Sequence, residues 1–533
     1  MRPILIAAAL VTGLLSAAEV IDENVNWKIR REATGHSAIL HTLHMLTDRY
    51  GPRLTGSPNH EAAAKWAVAE LAEWGLQNAH LEPWNFGHPG WQNERAAGYL
   101  VEPVKDNLTF EVLAWTPSTQ GAVTAGVVQL IPPVRPSREE LTAWLDANRD
   151  KVRGKAVLMG KAAVVRVAFN PAIKRIDDGD MRARLDPANP APMFPSRGGP
   201  QNQPGKLTAN EAEQMLNAWL AENGAVVRMN DAGREHGQIR AFGNRTFDLT
   251  KAVPAVVLRN EDFGRIERLL ADRLEVRVQF DIVNQTYPRG ETSYNVVAEI
   301  PGHGKAGEVV MLGGHLDSWH SATGATDNAI GCATMMEAVR IIRALGLKPR
   351  RTIRLALWSG EEQGLLGSKE YVRQHFGTFE EPKPAYGTLA AYFNIDSGTG
   401  RARGASVFGP PEAAEVVREV FAPFEDLGVL GAIPSRSRTP GGTDSTSFNA
   451  AGLTGIGVMQ DPIEYQSHTW HTNLDTYERI IPEDAVKSSI AIAAAVWHMA
   501  NREEPLPRFS KEKMPEPPKP EGARPEAPKP DAK

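Results

Sequence analysis

The 533-residue chain contains one cysteine, Cys332, so it can form no disulfide within itself and no metal site built from several thiolates. Neither sign of charge is in large excess, because the net charge is −5 and charged residues make up 23% of the chain. This balance gives no reason to expect a nucleic-acid partner. The 42% share of hydrophobic residues excludes a collagen-like or wholly disordered chain. If the protein holds a metal, histidine and carboxylate side chains must bind it.

Long apolar runs are scarce as well, and the one at the start of the chain is short. Arg2 precedes an apolar run from Ile4 to Leu15, and small residues then lead to Glu19. This layout is typical of a secretory signal peptide, and the run is shorter than the ~20 residues that cross a bilayer. We therefore predict that residues 1–18 are a signal peptide and that the protein is secreted or periplasmic, without a membrane contact after cleavage. A retained N-terminal anchor is the alternative.

The rest of the chain divides by its hydrophobic pattern into four segments. Residues 19–120 form the first part of the main domain and include a helix that Ser57 and Pro58 start. Residues 121–285 contain short β-like runs and offer no convergent acid, base or ligand set, which is typical of an inserted binding or lid unit. Residues 286–500 alternate strands with helices and predict a layered α/β domain. Residues 501–533 are rich in Pro, Lys and Glu and are predicted to be a disordered tail.

The residues suited to chemistry lie where the predicted buried strands end, or in the loops near those ends. They are His315, Asp317, Asp327, Glu361, Glu362, Asp396 and His471. In open α/β sheets, ligands bind in the crevice beyond the carboxyl ends of the strands. The topology alone therefore brings these side chains to one place.

Their chemical types are those of a two-metal hydrolytic centre. Imidazole and carboxylate groups are zinc ligands, and a catalytic zinc takes three protein ligands and keeps one position open. Five ligands can serve two ions when one carboxylate bridges them. In the arrangement that we predict, one ion takes His315, Asp327 and Asp396, and the other takes Asp327, Glu362 and His471.

Two positions in this arrangement have competitors. Glu361 and Glu362 are adjacent, so one can bind metal while the other faces the water between the ions as a general base. His468 and His320 compete with His471, which we favour because an aspartate follows it at a spacing that suits an oriented ligand.

Neighbouring carboxylates are expected to orient the histidines. Asp317 follows His315 by two residues and is placed to accept the second N–H of its ring. Asp475 is placed to do the same for His471. Such hydrogen bonds fix the ring and raise its basicity.

The motifs GGHLDSW, GATDNAIG, WSGEEQGLLGS, YFNIDSG and HTNLDT together resemble the co-catalytic di-zinc exopeptidases. The stretches NIDSGTGRARG and GGTDSTSF are most similar to the plasma glutamate carboxypeptidase (carboxypeptidase Q) branch. The resemblance implies two Zn²⁺ per chain and a peptide substrate. It maps the general base onto Glu361 and the zinc ligands onto the five residues of the predicted arrangement.

The resemblance also implies the fold. It predicts a three-layer α/β/α domain with a mixed, mostly parallel central sheet, plus an inserted β-rich domain of the protease-associated type. One position departs from the family, because many relatives have Tyr or His directly before the last zinc ligand and this chain has Trp470. An indole cannot ionise or ligate, so an oxyanion role at that position is in doubt. Tyr465 is near in sequence, and its place is left open.

The sequence thus predicts a zinc metallopeptidase that cleaves near a free terminus, with aminopeptidase or dipeptidase action preferred and carboxypeptidase action next. Asp444 is a candidate contact for a substrate ammonium, and Arg436 or Arg438 for a carboxylate. Two other classes remain as alternatives. These are a non-catalytic peptide-binding or receptor-like protein on the same scaffold, and a single-zinc aminoacyl cyclase. No oligomeric state is predicted.

Overall fold

The structure, a computed structural model, describes residues 20–188 and 203–517. The predicted signal peptide and the end of the predicted tail, residues 518–533, lie outside the described residues. Within the described ranges, no helix is both long enough and apolar enough to span a membrane.

The strands are β1 Gln77–Asn85, β2 Gly90–Glu102, β3 Asp106–Asn107, β4 Phe110–Val112, β5 Val123–Leu130, β6 Ala156–Met159, β7 Val227–Asp231, β8 Ala255–Leu258, β9 Arg277–Tyr287, β10 Thr292–Ile300, β11 Lys305–His315, β12 Arg351–Trp358, β13 Leu389–Ile395, β14 Ala402–Phe408, β15 Ala432–Ser435 and β16 Gly455–Gln460. The α-helices are α1 Glu23–Gly35, α2 Ile39–His44, α3 Pro58–Glu73, α4 Arg138–Asn148, α5 Asp178–Arg184, α6 Ala209–Glu222, α7 Asn260–Ala271, α8 Ile330–Ala344, α9 Leu366–His375, α10 Pro411–Phe421, α11 Ser445–Ala450 and α12 Pro482–Asn501.

The main sheet has eight strands in the order β1-β10-β12-β11-β13-β16-β14-β15. Its centre, β12-β11-β13-β16, is parallel, as is the pair β14-β15. The pairs β1-β10, β10-β12 and β14-β16 are antiparallel. The predicted mixed, mostly parallel sheet is therefore confirmed.

Helices cover both faces of this sheet. On one face, α8 and α12 pack with α1, α3 and α10 over strand residues such as Val310, Leu355 and Phe393. On the other face, Trp358, Tyr392 and Phe448 pack with side chains of α9. Because both faces are buried, the central strands are almost wholly apolar. The three-layer α/β/α arrangement is as predicted.

The start of α3 shows how local sequence fixes an element. The Ser57 hydroxyl accepts a hydrogen bond from the backbone N–H of His60 at 3.2 Å, and Pro58 occupies the first turn. Past the other end, Gly75 has a φ of +83°, the left-handed conformation that glycine adopts without strain. The predicted start of this helix is confirmed.

A second eight-stranded sheet has the order β3-β2-β9-β5-β6-β7-β8-β4. Its middle strands, β5-β6-β7-β8, are parallel, and helices α4, α6 and α7 accompany them. Three of its strands come from residues 90–112, so the predicted domain limit at residue 120 does not separate the two sheets. We still propose that residues 121–285 form most of an inserted unit. Strands β2, β3 and β4, which precede these residues, belong to the same sheet.

A segment that follows β6 docks on the edge of the main domain. Arg175 reaches the carboxylate of Asp461 at 3.1 Å, and Arg401 and Arg403 each reach the same carboxylate at 3.2 Å. The backbone N–H of Ile176 also donates to it at 3.0 Å. Asp461 is fully buried, so this ion cluster ties the two parts of the chain together.

The described part of the predicted tail is packed rather than disordered. Residues 502–517 contain no helix or strand, yet Leu506 is buried in the main core. The ring of Phe509 lies edge-on to Phe408 at a centroid distance of 5.4 Å. Two apolar side chains in a polar stretch are enough to hold this segment against the domain.

Candidate metal centre

The strand order of the main sheet positions the predicted site. His315 is the last residue of β11, and Asp396 directly follows the neighbouring parallel strand β13. On the other side of β11, the parallel strand β12 leads into the turn that carries Glu361 and Glu362. The carboxyl ends of these three strands lie at one edge, where open α/β sheets bind their ligands.

The five predicted ligands are brought together around Asp327. His315 Nε2 lies 3.3 Å from Asp327 Oδ1 and 3.3 Å from Asp396 Oδ1. His471 Nε2 lies 3.1 Å from Asp327 Oδ2 and 2.9 Å from Glu362 Oε2. Each oxygen of Asp327 thus faces a different histidine, and each histidine has one further carboxylate beside it.

The donor atoms fit a bound cation. His315 Nε2, Asp327 Oδ2, Glu362 Oε1 and Asp396 Oδ1 are all buried, and none has a hydrogen-bond partner among the described residues. Ligand atoms of His315, Asp327 and Glu362 lie within 4.8 Å of one another. Buried polar atoms without partners are costly, and an ion bound between them would remove that cost.

The electrostatics of the site show an excess of negative charge. Burial raises the pKa of Glu362 to about 7. Burial also raises the pKa of Glu361 well above its usual range, and the nearby carboxylates of Asp396 and Glu362 add to this shift. Burial alone would lower the pKa of His471, but Glu362 and Asp327 raise it to about 10. Four carboxylates without a matching set of cationic side chains are suited to divalent cations.

Glu361 is placed differently from its neighbour. Its side chain lines the cleft, and it forms no hydrogen bond or ion pair with any residue that the structure describes. Its backbone N–H donates to Asp317 Oδ1 at 3.2 Å. The glutamate is therefore fixed through its main chain while its carboxylate stays available.

The carboxylate of Asp317 forms hydrogen bonds with the backbone of the two glutamates rather than with the ring of His315. Its carboxylate accepts hydrogen bonds from the Thr55 hydroxyl at 2.9 Å and from the backbone N–H of Glu362 at 3.3 Å. The ring Nδ1 of His315 lies 3.0 Å from the backbone carbonyl of Asp317 and 3.7 Å from the carboxylate Oδ1. The prediction that the carboxylate is the acceptor of the ring N–H was wrong, because the carbonyl lies nearer. The hydrogen bond at Nδ1 leaves Nε2 for a metal.

The predicted role of Asp475 was wrong as well. Its carboxylate accepts the backbone N–H of Thr326 at 2.6 Å and that of Asp327 at 3.1 Å. In the part of the chain that the structure describes, Nδ1 of His471 has no hydrogen-bond partner. Asp475 therefore fixes the backbone of the central aspartate instead of the histidine ring.

The competing histidines lie elsewhere. His468 Nδ1 is 2.8 Å from the hydroxyl of Ser467, and its side chain lines a different cleft. His320 Nε2 is 2.6 Å from the carbonyl of Val112. Neither ring is paired with the clustered carboxylates, which agrees with the preference for His471.

A cleft of about 660 Å³ opens over the cluster and includes Tyr465, Trp470 and Lys369 in its wall. Tyr465, whose place the sequence left open, is buried, and burial together with the nearby carboxylates raises its pKa well above the usual value, so its hydroxyl keeps its proton. The Trp470 ring packs against the ring of His471 at a centroid distance of 4.1 Å, and the guanidinium of Arg240 lies over the Trp470 ring, 4.4 Å from its centroid. Its indole therefore supports the histidine.

The residues suggested for binding a substrate terminus do not line this cleft. Asp444 is fully buried behind it, and Arg438 is buried and paired with Glu380 at 2.7 Å. The guanidinium of Arg436 lies over the ring of Phe509. Lys369, which the sequence analysis missed, is instead the exposed cation in the cleft wall.

The second sheet unit contributes to the site. The backbone N–H of Asn473 donates to the carbonyl of Ile239 at 3.0 Å, and the Asn473 side chain accepts from the Ile239 N–H at 2.9 Å. Phe242 packs edge-on to His471 at 5.4 Å. Sequence motifs gave no signal for these contacts, although a binding or lid role was predicted for the unit.

Known proteins resemble this chain in sequence and in fold. Residues 295–496 match peptidase family M28. Human carboxypeptidase Q is 26% identical over 500 residues, which cover 93% of this chain and 92% of that protein. The crystal structure of a peptidase M28 precursor from Shewanella amazonensis is 25% identical, covers 92% of this chain and 99% of its own, and has a TM-score of 0.64. A zinc aminopeptidase from Bacillus subtilis is 17% identical with a TM-score of 0.54, covers 89% of this chain and 96% of its own, and supports the fold alone.

Proposed function

We propose that this zinc metallopeptidase, whose residues 295–496 match peptidase family M28, is a secreted di-zinc exopeptidase. The placement of Asp327 carries the proposal. Its two carboxylate oxygens face His315 and His471 separately, and each histidine has a second carboxylate beside it. A shared carboxylate between two such groups is what a pair of metal ions requires.

In the proposed site, His315, Asp327 and Asp396 would hold one zinc ion, and Asp327, Glu362 and His471 would hold the other. When bound, such a pair polarises the scissile carbonyl and lowers the pKa of a water molecule toward neutrality. The three ligand carboxylates and Glu361 carry four negative charges, which two divalent ions would balance.

Glu361 is the proposed general base. Its carboxylate takes a proton from the attacking water and later delivers it to the amine that leaves. Asp317 supports this role, because its carboxylate holds the backbone of the turn that carries the base. Tyr465 keeps its hydroxyl proton in the same cleft and can donate a hydrogen bond to the oxygen that gains negative charge.

The cleft supports small peptides with free ends as substrates. Lys369 in its wall offers a cation to a terminal carboxylate. A dipeptide presents that carboxylate close to its scissile bond, and we propose aminopeptidase or dipeptidase action first and carboxypeptidase action second.

A substrate panel tests this function. The purified protein is treated with a chelator, restored with Zn²⁺, and assayed on dipeptides, N-blocked peptides and aminoacyl anilides. We expect activity that requires added zinc and falls sharply when the amino terminus is blocked. Full activity without metal, or no cleavage of any peptide by the zinc-restored protein, would overturn the proposal.

The proposed secretion rests on the pattern of residues 1–18. Mass spectrometry of the protein exported by cells that express the whole chain should find Glu19 as the first residue. An intact N-terminus on protein that stays with the cells would contradict it.

A further inference from the structure

A second pocket, of about 400 Å³, lies between the second sheet unit and the metal centre. Four aromatic side chains form its walls, and we refer to it as the aromatic pocket: Trp115, Phe242, Phe247 and Trp319. The rings of Trp115 and Phe247 pack edge-on with their centroids 4.7 Å apart, and those of Phe242 and Trp319 pack edge-on with their centroids 5.1 Å apart. These contacts give the pocket rigid walls.

The aromatic pocket adjoins the reacting groups. Glu362 and Gly364 line both this pocket and the catalytic cleft. Phe242 contacts the ring of His471 at 5.4 Å. A side chain that entered the pocket would therefore belong to a substrate residue next to the scissile bond.

The pocket also has polar groups that the protein itself does not satisfy. The indole Nε1 of Trp319 and both amide atoms of Gln363 are buried without a hydrogen-bond partner among the residues described. Both side chains line the pocket. Ligand sites combine apolar walls with a few polar groups of this kind, whereas a packed core satisfies them internally.

The charge at the pocket favours uncharged side chains. Arg245 lines the pocket, is exposed, and makes no ion pair with the residues that the structure describes. Of the described lining residues, Glu362 is the one carboxylate, and it is assigned to metal. A cationic side chain would meet Arg245 without a free carboxylate to balance it.

We propose that the aromatic pocket selects substrates with an uncharged aromatic side chain, tyrosine or phenylalanine, beside the scissile bond, and that Arg245 excludes lysine and arginine. The inference rests on the proposed exopeptidase function and deepens it. The unpaired groups on Trp319 and Gln363 favour tyrosine, whose hydroxyl can bond to them.

The test measures kcat/KM of the zinc-loaded protein on dipeptides in which one position carries Tyr, Phe, Ala or Lys and the other is Ala. We expect at least about tenfold higher values for Tyr and Phe than for Ala at one of the two positions, and the lowest values for Lys. Equal values for Tyr, Ala and Lys would overturn the inference while leaving the exopeptidase function intact. No cleavage of any dipeptide would contradict the function itself.

Variants locate the selectivity in the pocket. Phe247→Ala should lower the ratio of kcat/KM for the Tyr dipeptide to kcat/KM for the Ala dipeptide roughly tenfold. Phe110→Ala is the matched control, since Phe110, in β4 of the second sheet, is half-buried like Phe247 but lines no part of this pocket. If both variants change the Tyr dipeptide equally, the pocket is not the determinant.

Arg245→Glu provides a test that does not disturb packing, because the side chain is exposed and unpaired among the described residues. The ratio of Lys to Ala kcat/KM should rise in this variant. As a readout of binding to the pocket, free tyrosine should inhibit Ala-Ala hydrolysis by the unmodified protein more strongly than free alanine. An unchanged Lys ratio together with equal inhibition by both amino acids would refute the assignment.

Discussion

Replacing Glu361 with glutamine should separate proton transfer from metal binding. The carboxylate of Glu361 makes no hydrogen bond with the described residues, and its position is set by the backbone N–H that donates to Asp317. Glutamine keeps the size of the side chain and this backbone contact. We therefore expect the variant to fold normally and to retain both metal ions.

The loss of activity follows from the role of a general base. Such a group contributes typically ~10²–10⁴-fold to the rate, which corresponds to about 2.7–5.4 kcal/mol of transition-state stabilisation. KM should change little, because the base does not hold the substrate in the ground state. The measurement is steady-state kinetics on the preferred dipeptide, with elemental analysis of the same preparation.

Glu362→Gln is the matched control, because it makes the same chemical change one residue further along. Glu362 lies 2.9 Å from His471 Nε2 and is a proposed ligand, so this variant should lose metal as well as activity. A Glu361→Gln enzyme that turned over at the native rate would refute the assignment of the base. A Glu362→Gln protein with undiminished metal content would refute the assignment of Glu362 as the metal ligand and Glu361 as the base.

Three further outcomes are expected. Asp475→Asn should weaken zinc retention about 10–100-fold in competition with a chelator, because Asp475 holds the backbone of Asp327, and unchanged retention would contradict this positioning role. Asp461→Asn should lower the free energy of unfolding by about 3–5 kcal/mol in thermal or denaturant melts, because the fully buried guanidinium of Arg403 loses its one buried carboxylate partner among the described residues and keeps only the exposed Asp178. A wild-type melting curve would count against the cluster. Zinc retention should fall as the pH drops below about 7. In the metal-free site the pKa of Glu362 is raised to about 7 and that of His471 to about 10, and both groups must lose their protons to bind metal. Zinc retention that rises in acid would contradict this prediction.

The sequence predicted the parts of the fold that carry a local signal. The buried runs that became β11, β12 and β13 have no charged residue near their middle except Arg354. The same property made the site predictable, since polar residues directly after such runs must gather at one sheet edge. β2 was missed because it is long, polar and half-exposed, without a clean alternation of apolar residues.

Contacts that depend on long-range packing could not be predicted. Asp475 was assigned to His471 from their spacing, but the loop turns its carboxylate toward the backbone of residues 326 and 327. Lys369 directly follows the WSGEEQGLLGS motif on α9 and Phe242 lies in a loop of the second unit, so neither residue belongs to a motif. They line the site because α9 and the second unit pack around it.

The most direct test is the number and position of bound zinc ions in the active protein. Elemental analysis of fully active enzyme should give two zinc ions per chain, and anomalous diffraction should place one beside His315 and Asp396 and the other beside Glu362 and His471, with Asp327 between them. A fully active preparation with one ion or none, or anomalous peaks away from Asp327, would contradict the account.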